Sequence, residues 1–271
     1  MSYNNFKKTV WSKHIQTELP KYTVFKTDCD FEFEGEAKQG ERLKILGVQA
    51  PTIKTYTPGK DIESPETPKD ASVYLDINEY KYFNYAIDDV DKAQTKGILP
   101  VLSEETTRAL AEVEDSYCAK NIALGAGVKL PEIVITNPAE AKDYIDEMYV
   151  KAWDNGLLGK KITLYLSPFI YNLFEKELSE IKTDNTRQIT TGTVGMYRNA
   201  HVKISNNIYN DGTYDHIILK SSKGYAYANG INELEAYRPE KGFSDAIKGL
   251  LTYGGKAVRP KEIICGRVKR G

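Results

Sequence analysis

Apolar and polar residues alternate along this chain with two periods, and the switches between them outline its elements. From Glu41 to Val48 the apolar members are Leu43, Ile45 and, after a break at Gly47, Val48, which predicts a strand. Ala71 to Ile77 is a cleaner strand, with Val73, Leu75 and Ile77 on one face and Ser72, Tyr74 and Asp76 on the other. Between the two, Thr52 to Tyr56 continues in β-favouring residues. Pro58-Gly59-Lys60-Asp61 and Ser64-Pro65-Glu66-Thr67-Pro68-Lys69-Asp70 then make a polar excursion stiffened by proline. These residues alone fit a protruding hairpin and an ordinary surface loop equally well.

The period lengthens at Ser103, which is placed to cap a helix, with Glu104 and Glu105 where the helix dipole is positive. Leu110, Val113, Tyr117 and Ile122 give it one apolar stripe, and Gly125-Ala126-Gly127 ends it, so a helix is expected over about 103–124. Asn137-Pro138 starts a second helix, buried through Ala141, Ile145, Met148 and Ala152 and ending near Asn155-Gly156. Lys161 to Leu166 reads as a strand with Ile162, Leu164 and Leu166 inward, and Ser167-Pro168 opens a third helix carrying Ile170, Leu173 and Phe174. Thr183 to Gly195 looks mobile, and His201 to Ser205 and Asp215 to Leu219 are strands. Helices and strands interleave without a strict βαβ rhythm, which favours α+β over a doubly wound sheet.

The first thirty residues hold scattered apolar positions (Val10, Trp11, Ile15, Leu19, Tyr22, Val24, Phe25) that cannot make a core, so this segment reads as an arm lying on something else. Composition adds bounds. The 271 residues are 41% hydrophobic and 28% charged with a net charge of −1, enough for a sizeable core and too balanced for a field that attracts nucleic acid or membrane. The polar start lacks a secretory signal, and no apolar run is long enough to span a membrane, which points to a cytoplasmic protein. Cys29, Cys118 and Cys265 are far apart with no CxxC spacing, which predicts free, buried thiols.

Candidate chemistry is thin. His14, His201 and His216 lack ligand partners at helical spacing, and no nucleophile elbow, phosphate loop or dinucleotide fingerprint occurs. Asn210-Asp211-Gly212 is a turn, because Tyr209 stands where a calcium loop needs a ligand. Asp88-Asp89-Val90-Asp91 could hold a cation or do acid–base work, but a solvated edge is the favoured reading. No catalytic residue, cofactor or metal is expected. Charge distribution says more: ten acids against four bases from Asp76 to Cys118, and nine bases against three acids from Tyr237 to Gly271. Such segments either lie against each other or are both solvated. Nineteen tyrosines against two tryptophans suit extensive, partly wet contact surfaces.

Tyr237-Arg238-Pro239-Glu240-Lys241-Gly242-Phe243, followed by Tyr253-Gly254-Gly255-Lys256-Ala257-Val258-Arg259-Pro260, resembles the closing segment of tailed-bacteriophage major capsid proteins of the Hong-Kong-97 fold. Thr9-Val10-Trp11-Ser12, Leu43-Lys44-Ile45-Leu46-Gly47, Lys81-Tyr82-Phe83 and Arg108-Ala109-Leu110-Ala111 match it in order. The resemblance implies an N-terminal arm over 1–33 and an extended hairpin, the E-loop, over 34–77. It implies a peripheral domain with a long spine helix over 78–130, an axial domain over 131–236, and return strands of the peripheral domain over 237–271. Contacts between subunits would fall at Lys54, Tyr56, Lys60 and Asp61 on the E-loop and at Trp11, Ile15 and Tyr22 on the arm. Charge-complementary contacts in the peripheral domain would use Asp88, Asp89 and Asp91 with Arg238, Lys256 and Arg259.

The implied function is a structural coat protein, not an enzyme, that assembles with itself through pentamers and hexamers into an icosahedral shell around double-stranded DNA. The resemblance further implies a separate scaffolding protein, a portal, assembly in the host bacterial cytoplasm and residence in the virion. An encapsulin-like nanocompartment is the alternative within the fold, and a monomeric tyrosine-rich binding module is the alternative outside it.

Overall fold

A computed structural model of the chain describes residues 23–32, 42–45, 53, 55–56, 58–59, 61, 64, 72–89, 98–180, 193–240 and 242–271. Its strands are β1 (Arg42–Ile45), β2 (Val73–Asp76), β3 (Glu79–Asp88), β4 (Val128–Ile135), β5 (Ile162–Leu166), β6 (Thr193–Tyr197), β7 (Ala200–Ile204), β8 (Asp215–Ser221), β9 (Tyr225–Tyr237), β10 (Ser244–Ala257) and β11 (Ile263–Arg270). The helices are α1 (Ile98–Leu124), α2 (Pro138–Asp154) and α3 (Pro168–Glu180). The strands form a two-stranded hairpin β1-β2, a three-stranded sheet β3-β10-β9 and a six-stranded sheet β4-β11-β8-β5-β7-β6. Parallel pairs (β11 with β4, β5 with β7) mix with antiparallel ones, and the fold is α+β as expected.

The six-stranded sheet is buried on both faces, and the alternation along its strands divides two cores. Ile162, Leu164 and Leu166 of β5 face a core closed by Ala141, Ile145, Met148 and Ala152 of α2 and by Ile170 and Phe174 of α3. Tyr165 of β5, Ile218 of β8 and Cys265 of β11 face the opposite core, with Cys118, Ala119 and Ile122 of α1 and Tyr225, Tyr227 and Tyr253 from the three-stranded sheet. The long helix therefore ties the two sheets together. The start of α2 is as expected: the Asn137 side chain accepts from Glu140 N at 2.9 Å, the Glu140 side chain accepts from Asn137 N at 3.4 Å, and Pro138 fills the first turn.

Several expectations change. Helix α1 begins at Ile98, so Ser103 is well inside it and cannot be its cap, and no acid lies in its first turn. Pro100 in that first turn explains how a helix starts there, since the amide it lacks has no intrahelical partner in any case. Val113 is 43% exposed; the buried face instead carries Ala111, Glu114, Asp115, Cys118, Ala119 and Ile122. Ser167 precedes α3, but only its carbonyl serves the helix, accepting from Tyr171 N at 2.9 Å; its hydroxyl is buried without a hydrogen-bond partner.

Sheet membership also departs from the expected division after Ala236. Strand β9 begins at Tyr225 and already lies in the three-stranded sheet, while the closing strand β11 runs inside the six-stranded one between β4 and β8. The chain thus crosses between the sheets twice after Ser221. The expected mobile stretch at 183–195 lies mainly outside the described residues.

Candidate assembly interface

Strands β1 and β2 pair antiparallel with Leu43 opposite Leu75 and Arg42 opposite Asp76. The two leucines are buried against Ala226 and Ala228 of β9, and the Arg42 guanidinium lies 2.7 Å from the Asp76 carboxylate and 4.7 Å from the Tyr74 ring centre. A slip of one residue would move both leucines into water, so the base of the hairpin has one register. Beyond that base Ile53 is 94% exposed, and Tyr56 and Asp61 are exposed with it. Lys54 and Lys60 lie outside the described residues.

The other expected contact element, the N-terminal segment, is held at its root by a buried polar cluster. Residues 23–30 cross α1 in a single 3-10 turn, Lys26–Asp28. Asp115 of α1 accepts the backbone amides of Val24, Phe25 and Lys26 at 2.9, 2.7 and 3.3 Å. The neighbouring Glu114 pairs with the Lys26 ammonium at 2.8 Å and accepts from the Tyr227 hydroxyl at 3.0 Å. Asp28 is reached by Lys203 at 2.6 Å and by the Tyr165 hydroxyl at 2.7 Å, while the fully buried Lys220 donates to the Asp28 carbonyl at 2.6 Å. Phe25 stacks on Tyr165 with ring centres 4.3 Å apart. Asp30 then joins the edge of β9: its amide donates to Tyr225 O at 2.9 Å and its carbonyl accepts Tyr227 N at 3.0 Å.

The ionisable groups balance, with carboxylates at Asp28, Glu114 and Asp115 and ammonium groups at Lys26, Lys203 and Lys220. Their shifts differ with their partners. Burial outweighs the three amides at Asp115 and lifts its carboxyl to about 6. Burial also works to raise Asp28, but the hydrogen bond and charge of Lys203, the Tyr165 hydroxyl and Lys220 together hold it below the ordinary range. Removing one partner of a buried pair such as Lys26 with Glu114 strands the other charge, at a cost of about 3–5 kcal/mol. This cluster fixes where the chain enters the fold and does no chemistry of its own.

The acidic and basic segments meet at one described point: Arg238 pairs with Asp89 at 2.5 Å on the surface. Asp88 ends β3 opposite Ser244 of β10. Arg259 instead pairs with Glu262 at 3.3 Å, Arg267 with Glu132 at 2.5 Å and Arg270 with Asp215 at 3.6 Å. Lys256 is exposed near the end of β10, opposite Ala226. Asp91, Trp11, Ile15 and Tyr22 lie outside the described residues.

Sequence reasoning missed the polar cluster because its members come from 23–30, α1, β7, β8 and β9 and no local pattern joins them. One signal was available: Glu114 and Asp115 lie between Ala111 and Cys118 at helical spacing, on the face that has to be buried. The Asn210-Asp211-Gly212 segment is a turn, with Asp211 accepting the amides of Thr213 and Tyr214 at 2.9 and 2.8 Å. Among the described residues no group of three acid, histidine or cysteine side chains could hold a metal ion, and no helix is long and apolar enough to cross a membrane.

This arrangement of sheets, long helix and hairpin is the Hong-Kong-97-type fold of tailed-phage major capsid proteins, a fold of shell-building subunits. The chain is similar to a structure from Mycobacterium phage Che8 at 26% identity, covering 90% of each chain with a TM-score of 0.77. It is similar to the capsid structure of cyanophage P-SCSP1u at 14% identity, over 86% of this chain and 85% of that one, with a TM-score of 0.72. A virus-like particle from Pyrococcus furiosus matches at 13% identity over 95% of this chain and 97% of that one, with a TM-score of 0.64. No family model and no curated protein sequence matches the chain.

Proposed function

We propose that this chain is the major coat protein of a tailed bacteriophage, assembling through pentamers and hexamers into an icosahedral shell that encloses double-stranded DNA. The observation that carries the reading is the likeness to the Mycobacterium phage Che8 structure, which extends over nine-tenths of both chains at 26% identity. On this reading the six-stranded sheet with α2 and α3 is the axial unit around the symmetry axes. The three-stranded sheet with α1 is the peripheral unit.

The hairpin that starts from β1 and β2 and the segment before Thr23 are the two elements that reach neighbouring subunits. Lys54, Tyr56, Lys60 and Asp61 on the first, and Trp11, Ile15 and Tyr22 on the second, are the proposed contact residues. Asp88, Asp89, Asp91, Arg238, Lys256 and Arg259 line the proposed peripheral contacts. Each contact is modest, and closed symmetry multiplies them until the shell is stable. A net charge of −1 suits an inner surface that meets packaged DNA without reading its sequence. A scaffolding protein and a portal are the implied partners, with assembly in the host bacterial cytoplasm.

Deletion of residues 59–69 tests the assignment. The hairpin base at Leu43 and Leu75 remains, so the subunit should fold, while shell formation should fail. Normal shells from that deletion would remove the E-loop assignment. A compartment enclosing protein cargo is the second reading, favoured by the likeness to the Pyrococcus furiosus particle over nearly the whole of both chains. Nucleic acid or protein inside the purified shell separates the two.

A further inference from the structure

Two of the three cysteines meet at the root of the N-terminal segment. Cys29 follows the 3-10 turn Lys26–Asp28, and Cys118 faces it from α1; both are buried in the same core. The Cys118 thiol is hydrogen-bonded to Cys29, and Cys29 Sγ is also held 3.2 Å from the Phe25 carbonyl. Cys265 sits apart on β11, with its sulfur 3.4 Å from His216 Nδ1. We propose that Cys29 and Cys118 form a peroxide-sensitive latch, in which a disulfide between them fastens the N-terminal segment to the long helix of its own subunit.

The charges around the pair give its sulfurs different roles. Burial disfavours both thiolates. At Cys29 it is outweighed by the hydrogen bond from Cys118 and by the Lys220 ammonium, so this thiol ionises more readily than a free one, although Asp28 and Asp115 oppose that. At Cys118 burial, Cys29, Asp115 and Glu114 all raise the thiol. Cys29 is therefore the attacking sulfur and Cys118 the resolving one.

Hydrogen peroxide is small enough to reach the pair when the segment fluctuates. The Cys29 thiolate attacks one peroxide oxygen and the O–O bond breaks. The departing hydroxide takes the proton that Cys29 released, leaving a sulfenic acid and water. The Cys118 sulfur then attacks the sulfenic sulfur and the S–O bond breaks. The leaving hydroxide and the Cys118 proton make a second water. Two thiols are oxidised and one peroxide is reduced to two waters. The bond closes the chain between residues 29 and 118 into a loop, which restricts the unfolded state and keeps the segment from peeling off α1. This latch rests on packing within one subunit and does not depend on what the subunit assembles into.

The test is to treat the unassembled full-length chain with hydrogen peroxide, block free thiols with iodoacetamide in denaturant, and map non-reduced peptides. The expected result is a peptide linking Cys29 to Cys118 with Cys265 alkylated. The oxidised chain should also unfold at a higher temperature, and dithiothreitol should reverse the gain. Cys265→Ser should leave the link unchanged, and Cys29→Ser and Cys118→Ser should each abolish it. Alkylation of all three cysteines after treatment, a link through Cys265 or between molecules, or over-oxidised Cys29 without a link would each overturn the proposal.

Discussion

Replacing Asp115 with asparagine separates two things this carboxylate does. Its Oδ1 receives the amides of Val24, Phe25 and Lys26, and an asparagine oxygen can receive them equally well. Its charge is buried, which lifts the carboxyl from 3.8 to about 6. A folded-state pKa above the unfolded one means that the associated stability is fully present below about pH 3.8 and is lost as pH rises through about 6. At about 1.4 kcal/mol per pH unit, the loss approaches roughly 3 kcal/mol. Asp115→Asn removes this titration.

The variant should therefore match the wild type near pH 4 and exceed it by up to about 3 kcal/mol above pH 7. Asp115→Ala should instead destabilise, because the buried amides of Phe25 and Lys26 lose their acceptor at about 1–3 kcal/mol each. Urea unfolding of the unassembled chain, followed by far-ultraviolet circular dichroism between pH 4 and 8, reads all three proteins. Glu114, Lys26 and Asp28 are present in each, so most of their own titration cancels in the differences. Parallel wild-type and asparagine curves, or an asparagine variant as weak as the alanine one at pH 7, would refute the reasoning.

Two further substitutions test the junction between the sheets. A Cβ at Gly127 would lie 2.7 Å from the carbonyl carbon and oxygen of Pro260, which is backbone that cannot yield, so Gly127→Ala should cost about 1–3 kcal/mol by thermal unfolding. Glu262 is held by the Ser221 hydroxyl at 2.5 Å and Lys160 at 2.9 Å; burial raises its carboxyl, but these partners and Arg259 hold it below the ordinary range. The stability it supplies is present above the unfolded carboxylate pKa and lost as pH falls. Glu262→Gln should thus be less stable than the wild type at pH 7, with the difference shrinking in a pH series toward acid.

The parts of the fold legible in the sequence are those whose signals are local. Asn137-Pro138 and the spacing Ala141, Ile145, Met148, Ala152 define α2 without help from the rest of the chain, and Leu43 with Val73, Leu75 and Ile77 define the hairpin strands. Helix α1 was legible in kind but misread in register. Its buried face carries Glu114 and Asp115, which burial permits only because residues about ninety positions earlier supply Lys26 and three amides. Strands β9 and β10 escaped because glycine and polar residues interrupt both, and their pairing with each other and with β3 sets their length. The family resemblance was carried by ordered short segments, and the polar cluster at the arm root by none of them.

The most direct test of the shell reading is negative-stain electron microscopy of the purified chain, concentrated alone and co-expressed with a scaffolding candidate, with light-scattering mass measured on the same samples. Closed shells, or free pentamers and hexamers, are the predicted result. A strictly monomeric protein in both samples would contradict the account.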